Sequence, residues 1–311
     1  MEMTTLGKTG MEVSRLGAGL VEIGKQLTLN DVAQAARVLN SALDAGINFL
    51  DTAECYGVSE ELIGLTIAHR RSEFILATKA GHVAGGYSGV PWTAQTVRDS
   101  IDRSLVRMKT DYVDLVQLHA YDVSGPAPEE VIQAVIEAKE AGKTRFVGYS
   151  QENEEALWAV KSGLFDTLQT AFSLADQRAR YELFRLAEAK GVGIIVKRPI
   201  ANAVWGKAMA LDREEPTYYS DDGVDNQLLE RARAIAGIGP IPAAPDDPIE
   251  MALGFVLAQP EVGTAIVGTR NPAHMLANIR IVEQRLPLPE EAVKELRMRY
   301  DQVGKDWRSI D

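Results

Sequence analysis

Three polar residues each directly follow a short apolar run, at a point where a buried strand would end. They are Asp51, Lys79 and His119, and Tyr56 follows in the loop after Asp51. A neighbouring ammonium stabilises phenolate and lowers the pKa of a tyrosine from its reference value of about 10. An acid, a lysine and a tyrosine in one pocket therefore predict a tuned proton donor. Each of these residues also has a purely structural interpretation. Asp51 and Lys79 could form a buried ion pair without function, and His119 could be a hydrogen-bonded core histidine.

The elements that must position these residues alternate regularly along the chain. Short apolar runs, which predict buried strands, are separated by longer segments of helical period, several of which end at a glycine. The runs lie at 15–19, 47–51, 74–79, 113–119, 145–150, 167–172, 193–197 and 264–268. Strands buried on both faces and separated by helices are typical of parallel βαβ units. Eight such units in 311 residues predict an α/β fold of the (β/α)8 TIM-barrel type, as a single domain over residues 1–311.

A doubly wound open sheet is the structural alternative to the barrel. That fold carries a glycine fingerprint after its first strand, and the segment 17–22 has Glu22 where the third glycine would stand. The missing glycine favours the barrel, in which the strand ends that carry Asp51, Lys79 and His119 meet at one central pocket.

Three segments lie outside the repeating units. Residues 4–14 contain glycines between short alternating runs and predict a β-hairpin that plugs the barrel from below. Residues 198–263 form a disproportionately long connection after the seventh strand, which fits an active-site loop on the catalytic face and equally fits a solvated surface excursion. The stretch 289–302 predicts an amphipathic C-terminal helix packed on the outside.

The composition is that of a globular protein and not of a fibre, a rod or a disordered chain. Apolar residues make up 46% of the chain and charged residues 25%. No apolar stretch is long enough to span a bilayer, the first residues lack the pattern of a signal peptide, and the single cysteine excludes an intrachain disulfide. A net charge of −11 repels nucleic acid and anionic membranes. We therefore expect a cytoplasmic protein with no nucleic-acid or membrane partner and no metal site.

The residues at the strand ends resemble the Asp, Tyr, Lys and His tetrad of the aldo-keto reductase superfamily. The likeness covers nearly the whole chain, and its separated sites agree in residue type, order and strand position. It extends to the segments 6–10, 51–57, 104–114, 148–150 and 266–270 and to Gln169.

The resemblance implies a barrel that binds NADPH or NADH in an extended form and reduces a small carbonyl substrate to an alcohol. Aldehydes, ketones and sugar-like compounds all belong to this substrate class. In the roles that the family assigns, Tyr56 donates the proton, Lys79 lowers the pKa of Tyr56, and Asp51 pairs with Lys79. His119 orients the carbonyl. General acid catalysis suits this reaction because the alkoxide formed by hydride addition must be neutralised as it develops.

The resemblance also assigns residues to the nicotinamide end of the cofactor. Ser150 and Gln169 match the family's carboxamide binders, and Gln151 stands where asparagine is usual. Many members have an aromatic residue that stacks on the nicotinamide after the seventh strand, whereas this chain has Lys197 and Arg198 there. Two interpretations fit Lys197: its aliphatic stem covers the nicotinamide ring, or its cationic end contacts the pyrophosphate.

Residues after the eighth strand match the family's adenosine-side motif. Pro272 suits the first turn of a helix, and free backbone amides at a helix N-terminus favour an anion such as the adenosine 2′-phosphate. This arrangement favours NADPH over NADH. The matching residues are Gly268, Thr269, Arg270, His274 and Asn278.

Loops after the strands carry the candidate substrate contacts. Glu22 is a candidate for a hydrogen bond to a hydroxylated substrate. The same position is also compatible with a side chain that only faces water. Three aromatic residues on these loops either line the pocket or pack in the core, and the sequence does not favour one location over the other: Trp92, Tyr121 and Trp205.

Cys55 and His82 stand close to the tetrad in the sequence. Cys55 has no dedicated base in the motif, which favours a small buried thiol over a nucleophile. His82 follows Lys79 closely and is a candidate for the rim of the pocket.

Two other functions remain open at this point. A desolvated Lys79 with acid and tyrosine neighbours is also what a Schiff-base barrel aldolase requires. Some proteins of this fold resemble channel auxiliary subunits or redox sensors that hold NADPH and turn over little. The complete tetrad argues against that last role.

Overall fold

Eight parallel strands close into a barrel in this computed structural model, which describes residues 1–119, 125–209 and 222–310. The strands of these ranges are, in chain order, β1 Met3–Thr5, β2 Glu12–Ser14, β3 Leu16–Gly19, β4 Phe49–Asp51, β5 Ile75–Ala80, β6 Val113–His119, β7 Thr144–Ser150, β8 Thr167–Ala171, β9 Gly193–Lys197 and β10 Val262–Gly268. The first two form an antiparallel pair, and β3 to β10 form the barrel.

The predicted (β/α)8 barrel is confirmed. The open sheet is wrong, because β10 pairs in parallel with β3 and closes the circle. Each predicted strand has a counterpart, with small differences at the ends. The predicted strand 47–51 begins at Phe49, and the predicted strand 264–268 begins at Val262. These differences arise because backbone hydrogen bonding, and not the apolar pattern, decides where a strand begins.

Helices connect the strands and cover the outside of the barrel. In the described ranges they are α1 Val21–Gln26, α2 Val32–Asp44, α3 Ser59–Thr66, α4 Ala94–Met108, α5 Glu129–Glu140, α6 Asn153–Ser162, α7 Leu183–Lys190, α8 Val204–Ala208, α9 Asp222–Ala236, α10 Pro248–Leu257, α11 Pro272–Gln284 and α12 Glu290–Val303. In α2, Ala35, Val38 and Leu39 recur at helical spacing and are buried. Gly163 and Gly191 directly follow α6 and α7 in the left-handed conformation, with φ of 73° and 66°, as expected of glycines that end helices.

The N-terminal hairpin closes the lower end of the barrel, as predicted. Leu6, Met11 and Val13 are buried there. They belong to a core cluster that also contains residues of the barrel strands, Phe49 and Leu115 among them. This cluster lies inside the barrel and is separate from the main core between the barrel and the helices.

Much of the long connection after β9 is helical. It contains α8, α9 and α10, while residues 210–221 lie outside the described residues. Leu253, Phe255 and Val256 of α10 are buried in the main core. The helices of this connection therefore pack as part of the core, which the sequence did not predict.

The C-terminal helix α12 confirms the predicted helix 289–302 with a shift at each end. Its apolar stripe, which includes Val293, Leu296 and Tyr300, is buried. In the described parts of the chain, no helix combines the length and the apolar character needed to cross a membrane.

Leu6 offers a direct test of the hairpin's role as a plug. A Cβ on Gly193 or on Gly263 would lie 2.7 Å or 2.6 Å from the Leu6 side chain, so Leu6 fills the space that these two glycines leave. We expect Leu6→Ala to lower the free energy of unfolding by about 2–5 kcal/mol, since it leaves a cavity in a closed barrel end. Urea denaturation would measure this change. Met3→Ala, at an exposed position of the same hairpin, is the control, and equal small losses in both variants would contradict the plug.

Candidate active site

The carboxylate of Asp51 is the centre of a buried polar network at the upper end of the barrel. Asp51 is the last residue of β4 and is 1% exposed. Its Oδ2 lies 2.5 Å from Nζ of Lys79, which extends from β5. Its Oδ1 accepts hydrogen bonds from Nε2 of Gln117 at 3.0 Å and from Nε2 of Gln169 at 2.8 Å. Donors from three other strands thus compensate the burial of this charge.

Gln117 was not predicted from the sequence. A signal for it exists, because Gln117 precedes His119 by two residues in β6, and alternate residues of a strand share one face. A polar side chain on the inward face of a buried strand requires a buried partner, which here is Asp51.

Lys79 joins this network to Tyr56. Its ammonium also donates to the backbone oxygen of Thr52 at 2.9 Å and lies 4.8 Å from the centroid of the Tyr56 ring. Tyr56 lies in the loop after β4, where its backbone N–H donates to the oxygen of Ala53. The sequence prediction that Asp51, Lys79 and Tyr56 share one pocket therefore matches the geometry.

The Tyr56 loop is held from the side by α1. A Cβ on Gly24 would lie 1.8 Å from the backbone oxygen of Tyr56, and a Cβ on Gly57 would lie 2.2 Å from the backbone oxygen of Gly24. The two backbones are thus in direct contact, and only glycine allows this approach. The contact fixes the position of the Tyr56 loop relative to α1.

Glu54, in the same loop, fastens it to the outer layer of helices. Its buried carboxylate accepts a hydrogen bond from Ser100 and pairs with Arg103, whose Nε donates to Oε1 at 2.9 Å. Both partners belong to α4. The carboxylate next to the tetrad motif is therefore an anchor of the loop.

The pKa of the Tyr56 phenol is raised well above its ordinary value. The largest cause is burial, and the negative charge of Asp51 adds to it. This differs from the expected lowering by Lys79, because burial dominates the shift and the Lys79 ammonium is already paired with Asp51. The phenol therefore holds its proton at neutral pH, as a proton donor must.

His119, at the end of β6, completes the cluster. Its ring meets the Tyr56 ring edge to face with a centroid distance of 6.0 Å. Burial, followed by the positive charge of Lys79, holds the pKa of the imidazole well below its usual range, so the ring is neutral at neutral pH. The ring of His82, the predicted rim residue, lies perpendicular to it at 4.9 Å.

The residues predicted for the nicotinamide end lie on neighbouring strands. Ser150 ends β7, and its Oγ donates to Oε1 of Gln169 in β8 at 3.3 Å. The amide nitrogen of Gln169 is bound to Asp51, so this residue belongs to the tetrad network as well. Oε1 of Gln151 accepts from the backbone N–H of Glu152 at 3.0 Å.

Lys197 and Arg198 are both held by protein groups. Nζ of Lys197 lies 2.9 Å from Oε1 of Glu152, which is buried. Arg198 has a left-handed backbone with φ of 56°, and its Nη1 donates to the backbone oxygen of Ile310 at 2.8 Å. The C-terminal segment therefore reaches the upper end of β9.

The adenosine-side residues cluster at the start of α11. Pro272 is the first residue of this helix, as predicted, and Oδ1 of Asn271 accepts from the backbone N–H of Ala273 at 2.9 Å. Thr269 is buried, and its Oγ1 accepts from the N–H of Asn271 at 3.0 Å. Nearby positions differ in exposure. Arg270 is half-buried, His274 is exposed and Asn278 is buried.

The four candidate substrate residues have different surroundings. Glu22 is buried, and its Oε2 would lie 1.7 Å from a Cβ on Gly268, so its carboxylate covers Gly268 and does not simply face water. Trp92 is half-buried, and its backbone N–H donates to the oxygen of Gly81 at 2.9 Å. Trp205 is 2% exposed and packs in the main core, which fits core packing and not the pocket lining. Tyr121 lies outside the described residues.

The described ranges contain no group of three His, Cys, Asp or Glu side chains that could hold a metal ion.

The Asp51 network predicts a large loss of stability when its charge is removed. We expect Asp51→Asn to lower the free energy of unfolding by about 3–5 kcal/mol, because the buried Lys79 ammonium loses its counter-charge. Chemical denaturation at neutral pH would measure the loss. Glu290→Gln removes a carboxylate that is exposed and paired with Lys294, and it should cost less than about 0.5 kcal/mol. Similar small effects of both substitutions would show that the buried ion pair contributes little to the free energy of unfolding.

Comparison with known proteins agrees with this fold. The model of the Aldo/keto reductase family matches residues 15–300. An uncharacterized oxidoreductase, YqkF of Bacillus subtilis (strain 168), is 30% identical over 99% of this chain and 100% of its own length. L-galactose dehydrogenase of Arabidopsis thaliana is 27% identical over 95% of this chain and 93% of its own. The solved holo form of aldo-keto reductase AKR11C1 from Bacillus halodurans superposes with a TM-score of 0.76 at 27% identity, covering 96% of each chain. The resemblance noted in the sequence is confirmed: the chain belongs to the aldo/keto reductase family and is an oxidoreductase.

Proposed function

We propose that this oxidoreductase reduces the carbonyl group of small aldehydes or ketones, sugar-like compounds included, to an alcohol with NADPH, and that Tyr56 is the general acid. The observation that carries the proposal is the place of the Tyr56 phenol. The Tyr56 ring has the Lys79 ammonium 4.8 Å from its centroid and the neutral His119 ring at a centroid distance of 6.0 Å. We further propose that the chain acts as one domain over residues 1–311 and in the cytoplasm, whose reducing conditions suit its single cysteine.

The residues at the upper end of the barrel fit an anionic dinucleotide. Ser150, Gln151 and Gln169 offer amide and hydroxyl groups for the nicotinamide carboxamide, at the end of β7, directly after it and in β8. Lys197 and Arg198 place two cations at the end of β9. Bound NADPH would supply the hydride that adds to the carbonyl carbon.

The adenosine end would lie at the start of α11. Gly268 and Thr269 lead into this helix, and Arg270, His274 and Asn278 surround its first turns. A helix N-terminus with an arginine beside it favours a phosphate group. The carboxylate of Glu22 beside Gly268 opposes an anion, so the arginine and the helix terminus must outweigh it.

The protein's own residues then have distinct tasks. Tyr56 holds a proton that moves from its phenol to the carbonyl oxygen as negative charge develops there. His119 is neutral and orients the carbonyl oxygen through a ring nitrogen. Lys79 stabilises the phenolate that proton donation leaves, and Asp51 keeps Lys79 in position. The burial that raises the pKa of Tyr56 also makes this electrostatic support stronger than it would be in water.

A Schiff-base aldolase fits the geometry less well. Its nucleophile would be the Lys79 amine, yet the Lys79 side chain has 0% exposure and donates to both Asp51 and Thr52. A nucleophilic amine must be free of its proton and open to the substrate. Borohydride trapping of a substrate on Lys79 without oxidation of NADPH would nevertheless favour the aldolase.

The main test is an assay with a panel of aldehydes, ketones and sugars, followed through the nicotinamide absorbance of NADPH. We expect Tyr56→Phe to lower kcat about 100-fold or more without weakening NADPH binding, because it removes the proton donor alone. Tyr112→Phe, at an exposed tyrosine, is the matched control. A full rate in Tyr56→Phe would show that another group is the acid. Bound NADPH without hydride transfer to any carbonyl would favour a sensor or auxiliary subunit.

Arg270 tests the choice of cofactor. We expect Arg270→Ala to raise the Kd of NADPH about tenfold and to leave the Kd of NADH unchanged, since only NADPH carries the 2′-phosphate. Isothermal titration with both cofactors would measure these constants. Arg280→Ala, an exposed arginine of the same helix, is the control. Equal affinity of the parent chain for the two cofactors would remove the preference for NADPH.

A further inference from the structure

The cysteine that precedes Tyr56 contacts the histidine of the cluster. Sγ of Cys55 lies 3.5 Å from Nδ1 of His119, within hydrogen-bonding distance for sulfur. The two residues come from different strand ends, since Cys55 lies in the loop after β4 and His119 ends β6. This contact engages one of the two imidazole nitrogens.

The direction of this hydrogen bond follows from the chemistry of the two groups. A thiol is a weak donor and its sulfur is a weak acceptor, whereas an unprotonated imidazole nitrogen is a good acceptor. Burial raises the pKa of the Cys55 thiol to about 11, so the thiol keeps its proton at neutral pH. The neutral His119 ring carries one proton and has one nitrogen that accepts. The favoured arrangement is therefore a bond from the Cys55 S–H to Nδ1.

The surroundings of the pair keep both groups neutral. For Cys55, burial outweighs the charges of Lys79 and Lys25, which favour the thiolate, and Glu54 adds to the effect of burial. Besides burial, His119 is influenced by Lys79, by Lys197 and by His82, whose ring packs perpendicular to it at 4.9 Å. Positive neighbours disfavour an imidazolium, and the perpendicular His82 ring limits rotation of the imidazole.

We propose that Cys55 is a positioning residue that sets the tautomer of His119. Its thiol donates to Nδ1, which places the ring proton on Nε2. The Nε2–H group then donates to the carbonyl oxygen of the substrate. This last step rests on the proposed carbonyl reduction, whereas the tautomer itself does not.

The position of Cys55 in the chain adds a structural consequence. Because Cys55 and Tyr56 are adjacent, one loop carries both the proton donor and the group that orients its histidine partner. A shift of this loop would disturb both at once. The contact between Gly24 and the Tyr56 backbone fixes the loop against such a shift.

The tautomer can be measured directly by nitrogen NMR of protein labelled with ¹⁵N-histidine. The chain has 4 histidines, so the His119 signals can be assigned by replacing the exposed His69 and His274 and then His82. In the parent chain we expect the proton of His119 on Nε2. In Cys55→Ala we expect a mixture of the two tautomers, and in Cys55→Ser, whose hydroxyl also donates, we expect the parent pattern to return.

Kinetics with NADPH and the best carbonyl substrate of the panel supply the second readout. We expect Cys55→Ala to lower kcat about fivefold, the effect of one lost neutral hydrogen bond, with an unchanged KM for NADPH. Cys55→Ser should restore most of the rate, which a loss of packing alone would not predict.

Three results would overturn the proposal. The first is a His119 proton on Nδ1 in the parent chain, and the second is the same tautomer in the parent and in Cys55→Ala. The third is a Cys55→Ser variant as slow as Cys55→Ala. If the parent chain reduces no carbonyl at all, the proposed function fails, while the NMR measurement still decides whether Cys55 sets the tautomer.

Discussion

The ion pair between Asp51 and Lys79 is the interaction on which the upper end of the barrel depends. A buried pair of charges is stable only when good geometry and further hydrogen bonds offset the loss of water. Here Gln117 and Gln169 supply those bonds, so residues of β4, β5, β6 and β8 meet at one carboxylate. The barrel must close for these donors to converge. The fold and the polar network therefore require each other.

This network also determines what Tyr56 is able to do. The carboxylate of Asp51 offsets the charge of Lys79 and, together with burial, keeps the phenol protonated in the resting chain. The phenolate left after proton transfer would lie beside the same ammonium. If Tyr56 acts as proposed, the same Asp51–Lys79 pair supports the protonated phenol before transfer and the phenolate after it.

The barrel and the sites at the strand ends were predictable because both follow from local patterns. Buried strands appear as apolar runs, and the residue at the end of each run faces the common pocket, as Asp51 and His119 do. The direction of the pKa shift of Tyr56 was not predictable, since it depends first on how deeply the phenol is buried and then on the nearby charge of Asp51. The sequence left Trp205 open between the pocket lining and the core, because the loop that carries it was predictable and its orientation was not. Contacts between distant strands, such as Cys55 with His119, have no signature in the sequence.

The contact between Gly24 and the Tyr56 backbone bears on how the substrate range of such an enzyme can be altered. With no space between α1 and the Tyr56 loop, the two segments behave as one block, and Glu22 belongs to the same helix. An insertion or exchange in either segment alone would displace Tyr56, the proposed proton donor. Libraries aimed at new substrates should therefore diversify these two segments together, or leave both intact and vary the loop that carries Trp92.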